Sequence, residues 1–160
     1  MSTLLDTNVL SELLRSAPEP AVLTWFAEQP SATLFVSAVT QAEMMLGARL
    51  LPRGKRRASL EIAVRAMFDE DFAGRTLLFD SAAVPAYVDI VSTRRAAGRP
   101  ISQFDAQIAA IARHHAARLA TRDSRRLRGL RRRGGQPVGA GGLTHNRALA
   151  DASPVSWSTC

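Results

Sequence analysis

The chain holds a single cysteine, Cys160, among its 160 residues. That excludes a disulfide scaffold or a Cys-rich metal module and suits a reducing compartment. Aromatic residues are few, at 6%. With 46% hydrophobic and 22% charged residues, the composition is nevertheless that of one ordinary domain. No apolar run approaches the roughly 20 residues that cross a bilayer, and Met1 opens onto Ser2-Thr3, without a basic and then apolar leader. These absences predict a cytoplasmic protein with no membrane span. A chain of this length buries roughly 70% of the surface its unfolded form exposes, so a core needs no disulfide or structural zinc.

Acidic residues are the scarcer charge: 14 against 21 Lys and Arg, a formal net charge of +7. Taken as a total, that suggests phosphate contacts with nucleic acid. The distribution says otherwise. Residues 1–121 hold 13 basic and 12 acidic side chains, and residues 122–160 hold 8 and 2. Nearly all the excess lies in the last quarter.

The first 121 residues alternate short apolar runs with helical spacing, which predicts a βα-repeating domain with a parallel sheet. Strands are expected at Leu4-Leu5, Leu34 to Val36, Leu77 to Phe79 and Arg118 to Thr121. Helices are expected over Asn8–Leu14, Pro18–Phe26, about Gln41–Leu50, Leu60–Phe68, Ala82–Ala97 and Phe104–Ala117. Arg53 to Arg57 is a basic turn. From Arg122 onwards the pattern stops: Arg122–Arg133 is Arg-rich, Gly134–Gly142 mostly Gly, and no second domain is built from residues 125–160.

Asp6, Glu43 and Asp105 are each expected just past a strand end, and Asp123 follows Leu119-Ala120-Thr121-Arg122. The carboxyl ends of parallel strands face one crevice, where ligands bind. Four carboxylates delivered there repel one another unless a divalent cation sits among them, and oxygen-rich sites suit magnesium or manganese. Each acid also has a bland reading. Thr40-x-x-Glu43 and Ser102-x-x-Asp105 fit capping boxes, Asp6 fits a turn, and Asp123 fits a solvated ion pair. Capping, however, does not require every acid to face the same sheet edge.

Other chemistries fit less well. Adjacent His114 and His115 cannot face one site from a helix, and no acid is spaced to orient either. Asp6-x-Asn8 lacks the second aspartate of phosphotransferases with an Asp nucleophile. The glycines of the tail follow no strand and lack a Lys-Ser/Thr ending, so they make no phosphate loop. Gly54-Lys55-Arg56-Arg57 is most simply a solvated turn.

Leu4-Leu5-Asp6-Thr7-Asn8-Val9-Leu10-Ser11-Glu12 resembles the opening motif of PIN-domain ribonucleases. Ser37 to Glu43 with Leu46-Gly47, Phe104 to Ala110, and Leu119 to Asp123 resemble the later motifs in order. The likeness is greatest to VapC-type toxins of toxin–antitoxin pairs, in the FitB-like branch, and spans residues 3–124. It implies a three-layer α/β/α domain over residues 1–124, with a mostly parallel sheet of four or five strands. It further implies a metal-dependent endoribonuclease, with Asp6, Glu43, Asp105 and Asp123 binding Mg2+ or Mn2+. Asp6 and Asp105 are the expected direct ligands; Glu43 and Asp123 act through water or position the nucleophile. Thr7, Asn8 and Thr121 would hydrogen-bond those carboxylates. The implied partners are RNA, a small antitoxin and a second copy of the chain. Two alternatives stay open: a degenerate PIN domain that binds without cleaving, and a PIN-type nuclease acting on DNA.

In that branch the fourth motif is followed by Asp-Phe, a glycine-containing turn, a last strand and Asn-Pro-Trp, none of which is visible in residues 125–160. Synonymous codons can be chosen for Arg126 to Gly139 so that a frame displaced by one base encodes Asp-Phe-Glu-Gly-Cys-Gly-Val-Glu-Val-Val-Asn-Pro-Trp. Leu143-Thr144 then supplies a stop. This points to a one-base frameshift, natural or a sequencing error, around Ser124 to Arg126. The alternative is a genuine basic tail that binds RNA electrostatically. Reading the gene's bases across codons 122–144 decides between them: codons that yield the ending in the displaced frame are expected, and codons that cannot yield it leave the tail as genuine.

Overall fold

The computed structural model describes residues 1–121. Asp123, the Arg/Gly-rich segment 125–160 and the frameshift reading lie outside the described residues. Four strands are present among the described residues: β1 (Thr3–Leu5), β2 (Leu34–Ser37), β3 (Thr76–Leu77) and β4 (Arg118–Ala120). All pair in parallel, in the order β3-β2-β1-β4. Six helices connect them: α1 (Thr7–Leu13), α2 (Pro20–Glu28), α3 (Ala38–Arg49), α4 (Lys55–Ala66), α5 (Val84–Ala96) and α6 (Gln103–His114).

Strand β1 is central and buried throughout. Successive side chains on a strand point to opposite faces, so Leu4 and Leu5 enter different cores. Leu5 packs with Val9, Leu10, Val22, Trp25, Val36 and Met44, under α1 to α4. Leu4 packs with Ile90, Ile108, Ile111 and Leu119, under α5 and α6. Phe35 and Leu119 follow Leu4 to one face, while Leu34, Val36 and Ala120 follow Leu5 to the other. The apolar runs predict the parallel sheet, and its cover of helices on both faces makes the three-layer α/β/α arrangement that the resemblance implies.

Several boundaries differ from expectation. Helix α3 starts three residues early because Ser37 caps it, its Oγ accepting the Thr40 N–H at 2.9 Å. Lys55 to Arg57 form the first turn of α4, where a basic turn is expected; Arg57 donates to Glu61 one turn on, at 3.0 Å. Strand β3 stops at Leu77, and Leu78 is exposed. Helix α6 ends at His114, short of Ala117, because its last carbonyls are closed by a tight C-terminal turn. There the Ala117 N–H reaches Ala112 O at 2.9 Å and the Ala116 N–H reaches Arg113 O at 3.2 Å, with Ala116 at φ 51°. Glycine plays the corresponding part after α5, at Gly98 with φ 66°. Among the described residues, no helix is long and apolar enough to cross a membrane.

Ile111 is fully buried at the contact of α6 with the sheet, whereas Leu23 is 43% exposed on α2. Ile111→Ala is expected to lower the unfolding free energy by about 2–5 kcal/mol, and Leu23→Ala to leave it within about 0.5 kcal/mol. Chemical denaturation of the two variants beside the parent chain reads both.

Candidate functional site

Strands β1 and β4 are neighbours in space but lie at opposite ends of the described chain. The path from β1 runs outward through β2 to β3, then crosses back to place β4 on the other side of β1. The crevice beyond their carboxyl ends is therefore the point where strand order reverses, the usual ligand position in an open parallel sheet.

Asp6 is the first residue past β1 and caps α1, with φ −78° and ψ 157°. Its backbone N–H extends the β1–β4 pairing to Ala120 O at 2.9 Å. Its carboxylate accepts the Thr7 N–H at 2.7 Å on Oδ1, and the Thr121 hydroxyl at 2.8 Å and the Asn8 amide at 3.3 Å on Oδ2. Asp6 is 7% exposed. Burial pushes its pKa above the ordinary carboxylate range, and the negative charge of Asp105 adds to the rise; the bonds from Thr121, Thr7 and Asn8 oppose it without cancelling it.

Glu43 projects from α3 and accepts the Thr7 hydroxyl at 2.5 Å. Its capping-box reading fails, because Ser37 holds the cap and bonds both the N–H and the hydroxyl of Thr40. Nor does Asp105 follow a strand, as expected from its surroundings in the sequence. It sits in the first turn of α6, after α5, and reaches the same edge because α6 runs back along the sheet before β4 begins. The helix-capping half of its box is present: Ser102 accepts the Asp105 N–H at 3.1 Å. Capping and proximity to Asp6 thus coexist in one residue.

The structure therefore couples Asp6 electrostatically with Asp105 and ties Glu43 to the same corner through Thr7. Thr7, Asn8 and Thr121 each make the carboxylate bond expected of them. Among the described residues, no three Asp, Glu, His or Cys side chains form a ready-made cage for one ion. Magnesium does not demand one: it is commonly held by one or two carboxylates and keeps several waters. A buried carboxylate with a raised pKa beside a second carboxylate fits such a cation. His114 and His115 are exposed at the other end of α6, about 14 Å along the helix from Asp105, with their rings 4.8 Å apart.

Two further polar residues, Glu12 and Ser102, carry bonds that the sequence does not assign to the site. Glu12, quoted only as the end of the first motif, is 4% exposed and accepts the Glu19 N–H at 2.9 Å and Arg15 at 3.2 Å, joining α1 to the start of α2. Ser102 is legible as a cap, but its hydroxyl also lies 2.7 Å from Asp105 Oδ2.

Residues 3–132 match the PIN domain family, and the chain belongs to that family. It is 40% identical over 120 residues to VapC ribonuclease Y4jK of Sinorhizobium fredii, covering 75% of this chain and 86% of the relative. Toxin FitB of Neisseria gonorrhoeae is 39% identical over 121 residues, 76% of this chain and 87% of its own. Among solved structures, FitAB bound to an IR36 DNA fragment superposes with a TM-score of 0.73 at 39% identity, covering 78% of this chain and 87% of that one. These relatives bear out the likeness to VapC-type and FitB-like toxins that the four motifs carry.

The raised pKa of Asp6 has a sign that stability measurements can read. The folded state holds its proton to higher pH than the unfolded state, so ionising Asp6 opposes folding, and stability falls as pH rises through the raised value. Asn at this position keeps most of the hydrogen bonds, since the Thr121 hydroxyl and the Asn8 amide can reverse. In metal-free buffer Asp6→Asn is expected to melt above the parent chain at neutral pH, with the gap closing as pH falls below the raised pKa. Thermal melts across pH check this; a gap independent of pH contradicts the electrostatic account.

Proposed function

We propose that the chain is a metal-dependent endoribonuclease, the toxin of a toxin–antitoxin pair, that hydrolyses RNA phosphodiester bonds with a metal-activated water. The observation that carries this reading is the buried Asp6 carboxylate at the strand-order reversal, coupled to Asp105 and hydroxyl-linked to Glu43. Support for the RNA substrate comes from the relative named as a VapC ribonuclease. The antitoxin partner is supported by the solved FitAB and VapBC complexes, and a homodimer is part of the same proposal.

Asp6 and Asp105 would hold Mg2+ or Mn2+ directly. When bound, such an ion acidifies a water and offsets the charge that builds on the attacked phosphate. Glu43 and Asp123 act through water or orient the nucleophile. Thr121 and Asn8 fix the Asp6 carboxylate, and Thr7 fixes Glu43, so the acids enter the reaction already oriented and little reorganisation is left for the reaction itself.

The test compares RNA cleavage by the full chain in magnesium with that of Asp6→Ala and Asp105→Ala. Each variant is expected to lose at least about a hundredfold, beyond the loss typical of residues that merely support ligands, and chelation of the metal is expected to stop the parent chain. Equal cleavage by parent and Asp6→Ala, or DNA cleaved and RNA spared, rejects the assignment.

A further inference from the structure

Each of the three described acids accepts a hydrogen bond from a hydroxyl: Asp6 from Thr121, Glu43 from Thr7 and Asp105 from Ser102. The first two cross between elements and bear on the site directly. The third is local, three residues apart, and on its face is a helix cap. Its geometry asks for more than a cap. Capping α6 uses the Ser102 oxygen only as an acceptor, for the Asp105 N–H at 3.1 Å. The hydroxyl proton is left over, and it lies toward Asp105 Oδ2 at 2.7 Å. An O–H group that accepts from an N–H while donating to a carboxylate is polarised in both directions, and the bond to the charged oxygen is the stronger kind.

An aspartate side chain has several staggered rotamers open to it. Repulsion from Asp6 favours those that swing the Asp105 carboxylate away, and Asp105 is only partly buried, so packing does not forbid them. We propose that Ser102 is a positioning residue of this site: its hydroxyl holds the Asp105 carboxylate on the Asp6 side and thereby sets the affinity of the pair for a divalent cation. The proposal rests on the metal-dependent reading above. It assigns the two halves of one hydroxyl to different tasks, the oxygen to the helix and the proton to the site.

That division makes the roles separable. Ser102→Gly removes the hydroxyl but leaves an acceptable cap, since glycine is among the residues that helices accept at this position. Ser102→Thr keeps both functions. The experiment titrates the full-length chain and both variants with Mn2+ alone by calorimetry, with thermal melts alongside, and then measures RNA cleavage against magnesium concentration. Ser102→Gly is expected to melt close to the parent chain and to bind Mn2+ about tenfold more weakly, as when a ligand loses its hydrogen-bonded support. Ser102→Thr is expected to restore the parent affinity. In cleavage, Ser102→Gly should need about tenfold more magnesium and recover its rate at saturation. Parent-like Mn2+ affinity in Ser102→Gly, or affinity in Ser102→Thr as weak as in Ser102→Gly, overturns the role of Ser102 and leaves the nuclease reading standing. A parent chain that binds no Mn2+ overturns both.

Discussion

Like charges brought to one sheet edge oppose the fold that brings them there, and the local structure around Asp6 is organised by that opposition. A carboxylate shielded from water loses hydration that only directed donors or a cation replace. Asp6 receives three donors, from Thr7, Asn8 and Thr121, and its pKa remains raised. Those donors come from both sides of the crevice, two from α1 and one from beyond β4, so the pairing of β1 with β4 and the state of Asp6 depend on each other. The chain reversal that makes the crevice also supplies the hydroxyl that steadies the acid within it.

The rest of the fold keeps this corner narrow. Helix α6 presents Ala106, Ala109, Ala110 and Ala112 to the core, all fully buried. Small side chains let a helix axis approach its neighbours closely, and the first turn of this helix carries Asp105, whose charge acts on Asp6. Larger residues at those positions would lift α6 and weaken the coupling of the two carboxylates, although none of the four alanines touches the chemistry. On the opposite face, Val9 and Leu10 of α1 pack beside Trp25 and Met44, which fixes the helix that carries Thr7 and Asn8. Each core thus immobilises one half of the acid pair.

The features legible in the sequence are those set by local rules. The apolar pairs and triplets of β1, β2 and β4 announce buried parallel strands, and Asp6 followed by Thr7 and Asn8 announces a strand-to-helix junction. Where two local rules compete, the sequence is ambiguous: Thr40 and Ser37 are both acceptable caps, and the fold uses Ser37, which accepts the Thr40 N–H while Glu43 accepts the Thr7 hydroxyl. Where position depends on distant packing, local rules fail. Asp105 follows a helix and a loop, and its arrival at the sheet edge is settled by α6 lying back along the sheet. Strand β3 is short because pairing with Val36 and Ser37 ends at Leu77, while its apolar run continues into a segment that packs Phe79 against Tyr87.

Charge carries a further consequence for the proposed reaction. The described residues are nearly balanced, with 13 basic and 12 acidic side chains, and Asp6, Glu43 and Asp105 share the edge where, on the proposed reading, a phosphodiester would have to approach. A polyanion meets repulsion at such an edge, and a surface with little net positive charge does not overcome it through counterion release alone. A cation held between Asp6 and Asp105 changes the local sign, so on the proposed reading the ion contributes to substrate binding as well as to chemistry. Binding free energies couple reciprocally: whatever the ion adds to the affinity for the phosphodiester, the phosphodiester adds to the affinity for the ion. On that reading two carboxylates would suffice to hold the ion, since magnesium keeps open positions for water or substrate oxygens.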